Sequence, residues 1–455
     1  MHEILTIQLG HQANYLATHF WNTQESYFTY ELEETPSPVD SNILFRAGIS
    51  ESREETYTPR TVIYDLKGGF GGLRKWGGLY DQQLSMREGD AQDSKGVWGG
   101  TVALHQDTPI LPAEYQRSLE ENDSSQSKLT VDTVRYWSDY NRIFYHPRSI
   151  VQLSERDFGS TLSPLEKYES GEELFCKIDR DDDLLDRDVR PMLEECDQVQ
   201  AIQLLTAQTG AWAGFGATYT ERLRDEFGKL GLWVWGIADT RGKLQRSRQL
   251  SESIDEARML GEMSANASMY VPLSVPAAGL PPYVQLNRDS RWHTSALLSA
   301  AFESITLPAR QRSTGSGQTG LDRLEASLNS NGHQYLARLQ ASVPIAHSSA
   351  QQEPDQSTDL DLDLSTNLRD LSPVKSSRSY NTVFGGVECF RGSPYDSNDT
   401  MLEANQIARE VKSLRTKIRP ALGTSEREGL IDSLSNIVNG YEEGWSSGSG
   451  EDSDE

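Results

Sequence analysis

Two short glycine-bearing stretches hold the residues best suited to chemistry. The first is Gly10-His11-Gln12-Ala13-Asn14, directly after the apolar run Ile4 to Leu9. The second is Thr209-Gly210-Ala211-Trp212-Ala213-Gly214-Phe215-Gly216, after the apolar run Val199 to Leu205. A turn that ends a strand and opens a helix presents free N–H groups and the positive end of the helix dipole, which together receive a phosphate. Glycines at such a turn serve equally well for tight bends and for close packing of helix on strand with no ligand at all. Other chemistries are missing from the sequence. It has no phosphate loop ending in Gly-Lys-Ser/Thr, no HExxH helix, no GxSxG elbow and no cysteine pair at metal spacing. The acidic run Asp179 to Asp188 lacks the glycine turn and distal glutamate of a calcium loop and reads as a solvated helix entry. No catalytic residue and no metal site is expected.

The elements that would position these turns follow from periodicity. Ile4 to Leu9 reads as a strand and His11 to Trp21 as a helix. Thr61 to Leu66 reads as a second strand running into Lys67 to Gly78, predicted as a long exposed loop whose Phe70, Leu73 and Trp76 either offer a contact for a protein partner or fold back on the core. Beyond Val199 to Leu205, Tyr219, Leu223 and Phe227 recur every four residues toward a C-cap at Gly228, and Leu232 to Ala238 resumes the strand pattern. That is a β-α-β unit, which implies a parallel sheet. Thr294 to Ile305 reads as a core helix. Residues 310–331 and 348–379 read as mobile loops. Thr400 and Glu403 form a capping box ahead of a helix striped by Leu402, Ile407, Val411, Leu414 and Ile418, and a shorter helix is predicted over Glu426 to Val438.

Composition sets the outer bounds. A chain of 455 residues holds two or three domains. With 43 basic and 68 acidic side chains the net charge is −25, which repels a phosphate backbone and argues against direct nucleic-acid binding. Three scattered cysteines fit a reducing compartment. Mean hydropathy is −0.60, and no apolar run approaches the ~18 residues of a membrane-spanning helix. Any membrane contact is expected to be peripheral. The start MHEILTIQLG alternates as a strand does and is unlike an Arg-rich mitochondrial presequence.

At the two glycine turns the sequence resembles tubulin, and more closely the Misato family of divergent tubulin-like proteins. The first 21 residues align with the tubulin start without a gap, matching at Met1, Glu3, Ile4, Ile7, Gln8, Gly10, Asn14, Phe20 and Trp21. Pro59-Arg60, Asp65-Leu66, His146-Pro147, Glu195-Cys196 and Glu221-Arg222-Leu223 follow in order. YHPRSI from Tyr145, EECDQVQAIQLL from Glu194, WAGFGA from Trp212 and SALLSAAFESITLPAR from Ser295 are similar to Misato proteins and not to true tubulins.

The resemblance implies an α/β, tubulin/FtsZ-like fold: a doubly wound parallel sheet over 1–240, a second α+β domain over 241–395, C-terminal helices over 396–442 and a disordered acidic tail over 443–455. It implies a guanine-nucleotide site at Gly10, His11, Gln12, Asn14, Asp65, Thr209, Gly210 and Gly214, here in vestigial form. His11, Gln12 and Ala13 replace tubulin's glutamine, cysteine and glycine. Lys67 stands where tubulin has a metal-associated glutamate, and the signature GGGTGSG has become Gln208 to Gly214 with Trp212 inside it. The tubulin catalytic-loop pattern is not found. The expectation is therefore a protein with no bound cofactor and no enzymatic activity. It would act in partitioning mitochondria and inheritance of mitochondrial DNA through mitochondrial-surface or cytoskeletal proteins, tubulin or tubulin-folding factors among them. Its expected place is peripheral, on the outer mitochondrial surface, with a cytoplasmic pool. The alternative is a GTP-binding switch or filament-forming GTPase, with Lys67 or Arg74 standing in for a metal's charge.

Overall fold

The computed structural model describes residues 2–29, 37–49, 55–74, 110–120, 128–162, 164–239, 245–276, 280, 284–312, 320–329, 332–344, 359–363, 387–390, 399–422 and 424–442. In chain order the elements that matter are β1 (Glu3–Leu9), α1 (Gly10–Glu25), β2 (Phe45–Ile49), β3 (Glu55–Pro59), β4 (Thr61–Lys67), α2 (Glu114–Glu120), β5 (Ile150–Asp157), α3 (Tyr168–Asp182), α4 (Arg190–Glu194), β6 (Val199–Ala207), α5 (Ala211–Glu226), β7 (Gly231–Ile237), α6 (Arg246–Asn266), β8 (Met269–Leu273), α7 (Arg291–Thr306), α8 (Leu321–Leu328), β9 (Arg338–Pro344), β10 (Asp359–Asp363), β11 (Val387–Phe390), α9 (Asp399–Ile418) and α10 (Thr424–Glu442).

Six strands pair in the order β5-β4-β1-β6-β7-β8, every pair parallel. A strand covered on both faces has no solvent side to alternate toward, and β1 is buried at all seven positions. The sheet separates two apolar layers. One holds Leu5, Ile7, Leu9, Phe175, Phe215 and Leu260 with the C-terminal helices; the other holds Ile4, Phe20, Trp21, Trp233, Trp235 and Phe302. The strand order reverses direction between β1 and β6. In an open α/β sheet the crevice at such a switch point, outside the carboxyl ends of the strands, is where a ligand goes. The two glycine turns lie there, one after β1 and one after β6.

Several expectations are corrected. Residue 240 does not bound the sheet, because β8 adds its edge strand beyond that point through Val234–Tyr270 and neighbouring register pairs. Within 310–331, α8 forms because Leu321 and Leu328, one face of two turns, are both buried. Within 348–379, β10 pairs antiparallel with β9. Of the two readings of the loop after β4, Phe70 takes the folded-back one: it is 6% exposed and meets Trp137 edge-on with centroids 5.7 Å apart, while Leu73 is half-buried and Arg74 exposed. Trp76 and the tail 443–455 lie outside the described residues. Asp188, expected in a solvated run, is buried and accepts from the Tyr64 hydroxyl at 2.7 Å. α5 stops at Glu226 with Phe227 as its cap, one residue before Gly228. The stripe on α9 packs into the core through Ile407, Val411, Leu414 and Ile418. No helix among the described residues is long and apolar enough to cross a membrane.

Candidate functional site

A cleft of about 1080 Å³ opens at the switch point. His11, Gln12, Thr209 and Gly210 line it, together with Trp212 and residues from the β5–α3 connection and from α6. Gly10 and Gly210 have φ of +80° and +76°, the left-handed region that only glycine adopts at little cost, so each strand can turn abruptly into its helix. Each turn thus aims the start of a helix at the cleft, as a phosphate site requires.

What fills that position is the protein's own chemistry. The indole of Trp212, in the first turn of α5, lies flat against the Cα of Gly10, so close that a Cβ on Gly10 would fall inside the ring's van der Waals surface. The ring therefore bridges the two turns that a phosphate would otherwise separate. Two amides at the start of α5 are already used. Gly210 N–H donates to Asp255 Oδ2 at 3.0 Å, and Ala211 N–H donates to the Glu166 carbonyl at 3.1 Å. Asp255 comes from α6 and is 8% exposed; burial raises its pKa, opposed by the Gly210 bond and the nearby Arg258. A carboxylate at a helix N-terminus satisfies the dipole as a phosphate does, and a second anion brought alongside it would be repelled.

The three arginines around the cleft are paired as well. Arg258 bonds Glu169, which holds that carboxyl below its ordinary range, and its guanidinium lies 5.6 Å from the Tyr168 ring centroid. Arg291 pairs with Asp239 at 3.6 Å and Arg248 with Glu252 at 3.4 Å. The lining holds six carboxylates against the four cations Lys167, Arg248, Arg258 and Arg291. A nucleoside triphosphate carries several negative charges, and this lining offers no net positive field to receive them.

The sequence-predicted residues separate into three groups. His11, Gln12, Thr209 and Gly210 reach the cleft, and Gln12 Nε2 donates to the Ala238 carbonyl at 2.6 Å, tying the end of β7 to α1. Gly10 lies beneath the Trp212 ring. Asn14, Asp65 and Gly214 lie away from the lining. Asp65 is fully buried and accepts from Asn14 Nδ2 at 3.0 Å, Trp137 Nε1 at 3.0 Å and the Leu66 amide at 2.9 Å, with His11 Nδ1 3.7 Å away. Both carboxylate oxygens are thus engaged by protein donors, none facing a cation. Gly214 is where α5 crosses α3: its Cα meets the Tyr168 carbonyl, and Gly171 of α3 meets the Ala211 carbonyl just as closely. Lys67 extends toward Asp157 at 3.9 Å, and Arg74 is exposed.

Asp255, Glu166 and the α6 arginine were not among the predicted site residues. Asp255 is 45 positions from the amide it caps, and only the return of α6 across the cleft brings them together.

Comparison with known proteins agrees with this architecture. A model of the Misato Segment II tubulin-like domain matches residues 2–121, and a tubulin domain model matches residues 126–311. The chain is similar to Protein dml1 of Aspergillus clavatus, 38% identical over the whole of both chains, and to Protein dml1 of Aspergillus oryzae, 40% identical over 99% of each. It is 48% identical to Protein dml-1 of Neurospora crassa over 74% of this chain and 62% of that one.

Proposed function

The chain belongs to the Misato/DML1 family of tubulin-like proteins, and from that premise we propose that it is a tubulin fold whose nucleotide position is occupied by its own side chains and which works by binding protein partners. The observation that carries this reading is the pair of contacts at the switch point, Trp212 on Gly10 and Asp255 on the Gly210 amide. Assembly-coupled hydrolysis needs a phosphate cradle and a charge-neutralising cation. Here the Gly210 and Ala211 amides are bonded internally and Lys67 stands where tubulin has an acidic residue. In this reading the protein sits peripherally at the outer mitochondrial surface, with a cytoplasmic pool, and serves mitochondrial partition and inheritance of mitochondrial DNA. Its partners are surface or cytoskeletal proteins, tubulin and tubulin-folding factors among them. Support for that role is family membership.

A second reading, a GTP-dependent switch or filament, draws on the volume of the cleft, which is ample for a nucleotide if Trp212 swings away. Retention on isolated mitochondria separates the two. The first reading predicts that the chain stays bound equally in GTP, GDP or nucleotide-free buffer and is removed by protease without lysing the organelle. Release on changing the nucleotide would favour the switch, and full protection from protease would contradict the surface location.

A further inference from the structure

A second cavity, of about 40 Å³, lies between the sheet and the C-terminal hairpin of α9 and α10. Glu256 of α6, Glu410 of α9, Tyr270 of β8, Arg338 of β9 and Gln208 face it among apolar side chains that include Leu260, Ile407, Val411 and Leu414. Two carboxylates therefore share a small, largely apolar space. One cation serves it directly, Arg338, which pairs with Glu410 at 3.6 Å while both side chains are mostly buried, 9% and 14% exposed. Placing two carboxylates in such a space favours keeping a proton on one of them.

We propose that this cavity makes the C-terminal hairpin a proton-operated clamp, in which Glu256 carries a proton while α9 is docked and releases it when α9 leaves. Glu256 is the group that titrates, because among the described residues no arginine pairs with it, whereas Glu410 has Arg338. Burial, reinforced by Glu410 on α9 and Glu252 on its own helix and opposed by Lys417 on α9, pushes its pKa up from 4.5 to about 7. Tyr270 stays neutral, its own pKa raised by burial. Among the described residues the other helices on α6 bring no competing charge to this point: α10 meets it at Gly261 through Leu430 and Ser433, and the α5 acid Glu221 faces Glu262 instead. Glu256 is half-buried, and Glu410, Lys417 and the apolar residues that cover it from one side all belong to α9, so departure of the hairpin opens the carboxyl fully to water.

The sign follows from linkage. A carboxyl that titrates near 7 when docked and near 4.5 when solvated takes up a proton on docking, so docking is favoured at low pH and weakens as pH rises between those values. Between pH 5.5 and 7.5 the opening equilibrium rises by about twentyfold. Adjacent on α6, Asp255 caps α5 and Glu256 meets the hairpin, so a single helix joins the cleft to the clamp.

Hydrogen exchange on the full chain tests this, read over α9 and α10 at pH 5.5 and 7.5 after correction for intrinsic rates, with β6 and β7 amides as internal reference. The wild type is expected to lose about twentyfold of its hairpin protection at the higher pH while the reference strands change little. Glu256→Gln, which keeps the shape and removes the titration, is expected to abolish that response. Should Glu256→Gln not fold, Glu410→Gln decides, because removing the neighbouring charge must shrink the response. Equal hairpin protection at both pH values in the wild type, or an unchanged response in the variant that folds, overturns the clamp. No nucleotide enters the measurement, so its outcome is independent of the reading of the cleft.

Discussion

Trp212 and Asp255 decide what the cleft can do, and they differ in how visible they are beforehand. A tryptophan inside a run that must be small to admit a phosphate is legible in the sequence, since each added side chain removes room for backbone amides to approach an anion. Asp255 is not legible: no spacing rule joins it to Gly210, and only the path of α6 makes it a cap. Asp65 and Gly214 show the reverse. Their types match a nucleotide site, yet one is enclosed by Asn14, Trp137 and the Leu66 amide and the other sits in a helix crossing. Gly10→Ala places a Cβ both in the left-handed region and against the indole, so a loss of about 2–4 kcal/mol is expected in urea unfolding. Asp255→Ala uncaps α5 and should cost about 1 kcal/mol in the same assay.

Elements were legible where one period dominated. β1, β4, β6, β7 and the helices after the glycine turns follow from apolar runs and four-residue recurrence, and the parallel order follows from the β-α-β unit. α8 and β10 were hidden, because Ser, Gly and Asp around them read as loop while their stability comes from Leu321 and Leu328 and from pairing with β9. The α3–α5 crossing depends on two glycines facing carbonyls, and Gly171→Ala leaves its Cβ nowhere to go; a loss of about 3 kcal/mol or more is expected, with α3 amides losing protection first. The packing of α1 on α7 rests partly on His19, whose Nε2 lies 2.9 Å from the Trp292 carbonyl. Burial lowers its pKa to about 4, aided by His293 and opposed by the Trp292 bond, so the ring stays neutral and donates. Between pH 6.5 and about 4 the unfolded chain takes up a proton that the folded one refuses. Stability therefore falls with pH over that window, by about 3 kcal/mol at most. His19→Gln should remove that share of the acid sensitivity, read as a smaller shift of the urea midpoint between pH 7 and pH 4.5.

At the scale of the whole molecule, the strand order places both glycine turns at one switch point, and the fold keeps a cleft there while its own indole lies on Gly10 and its own carboxylate caps the Gly210 amide. On the reading proposed above, such a molecule works through protein partners without a nucleotide. Binding of labelled GTP to the purified chain, with and without magnesium, tests this most directly. No saturable binding up to millimolar GTP is expected under either condition. Saturable binding at micromolar GTP would show that Trp212 yields the site to a nucleotide and would contradict a self-occupied cleft.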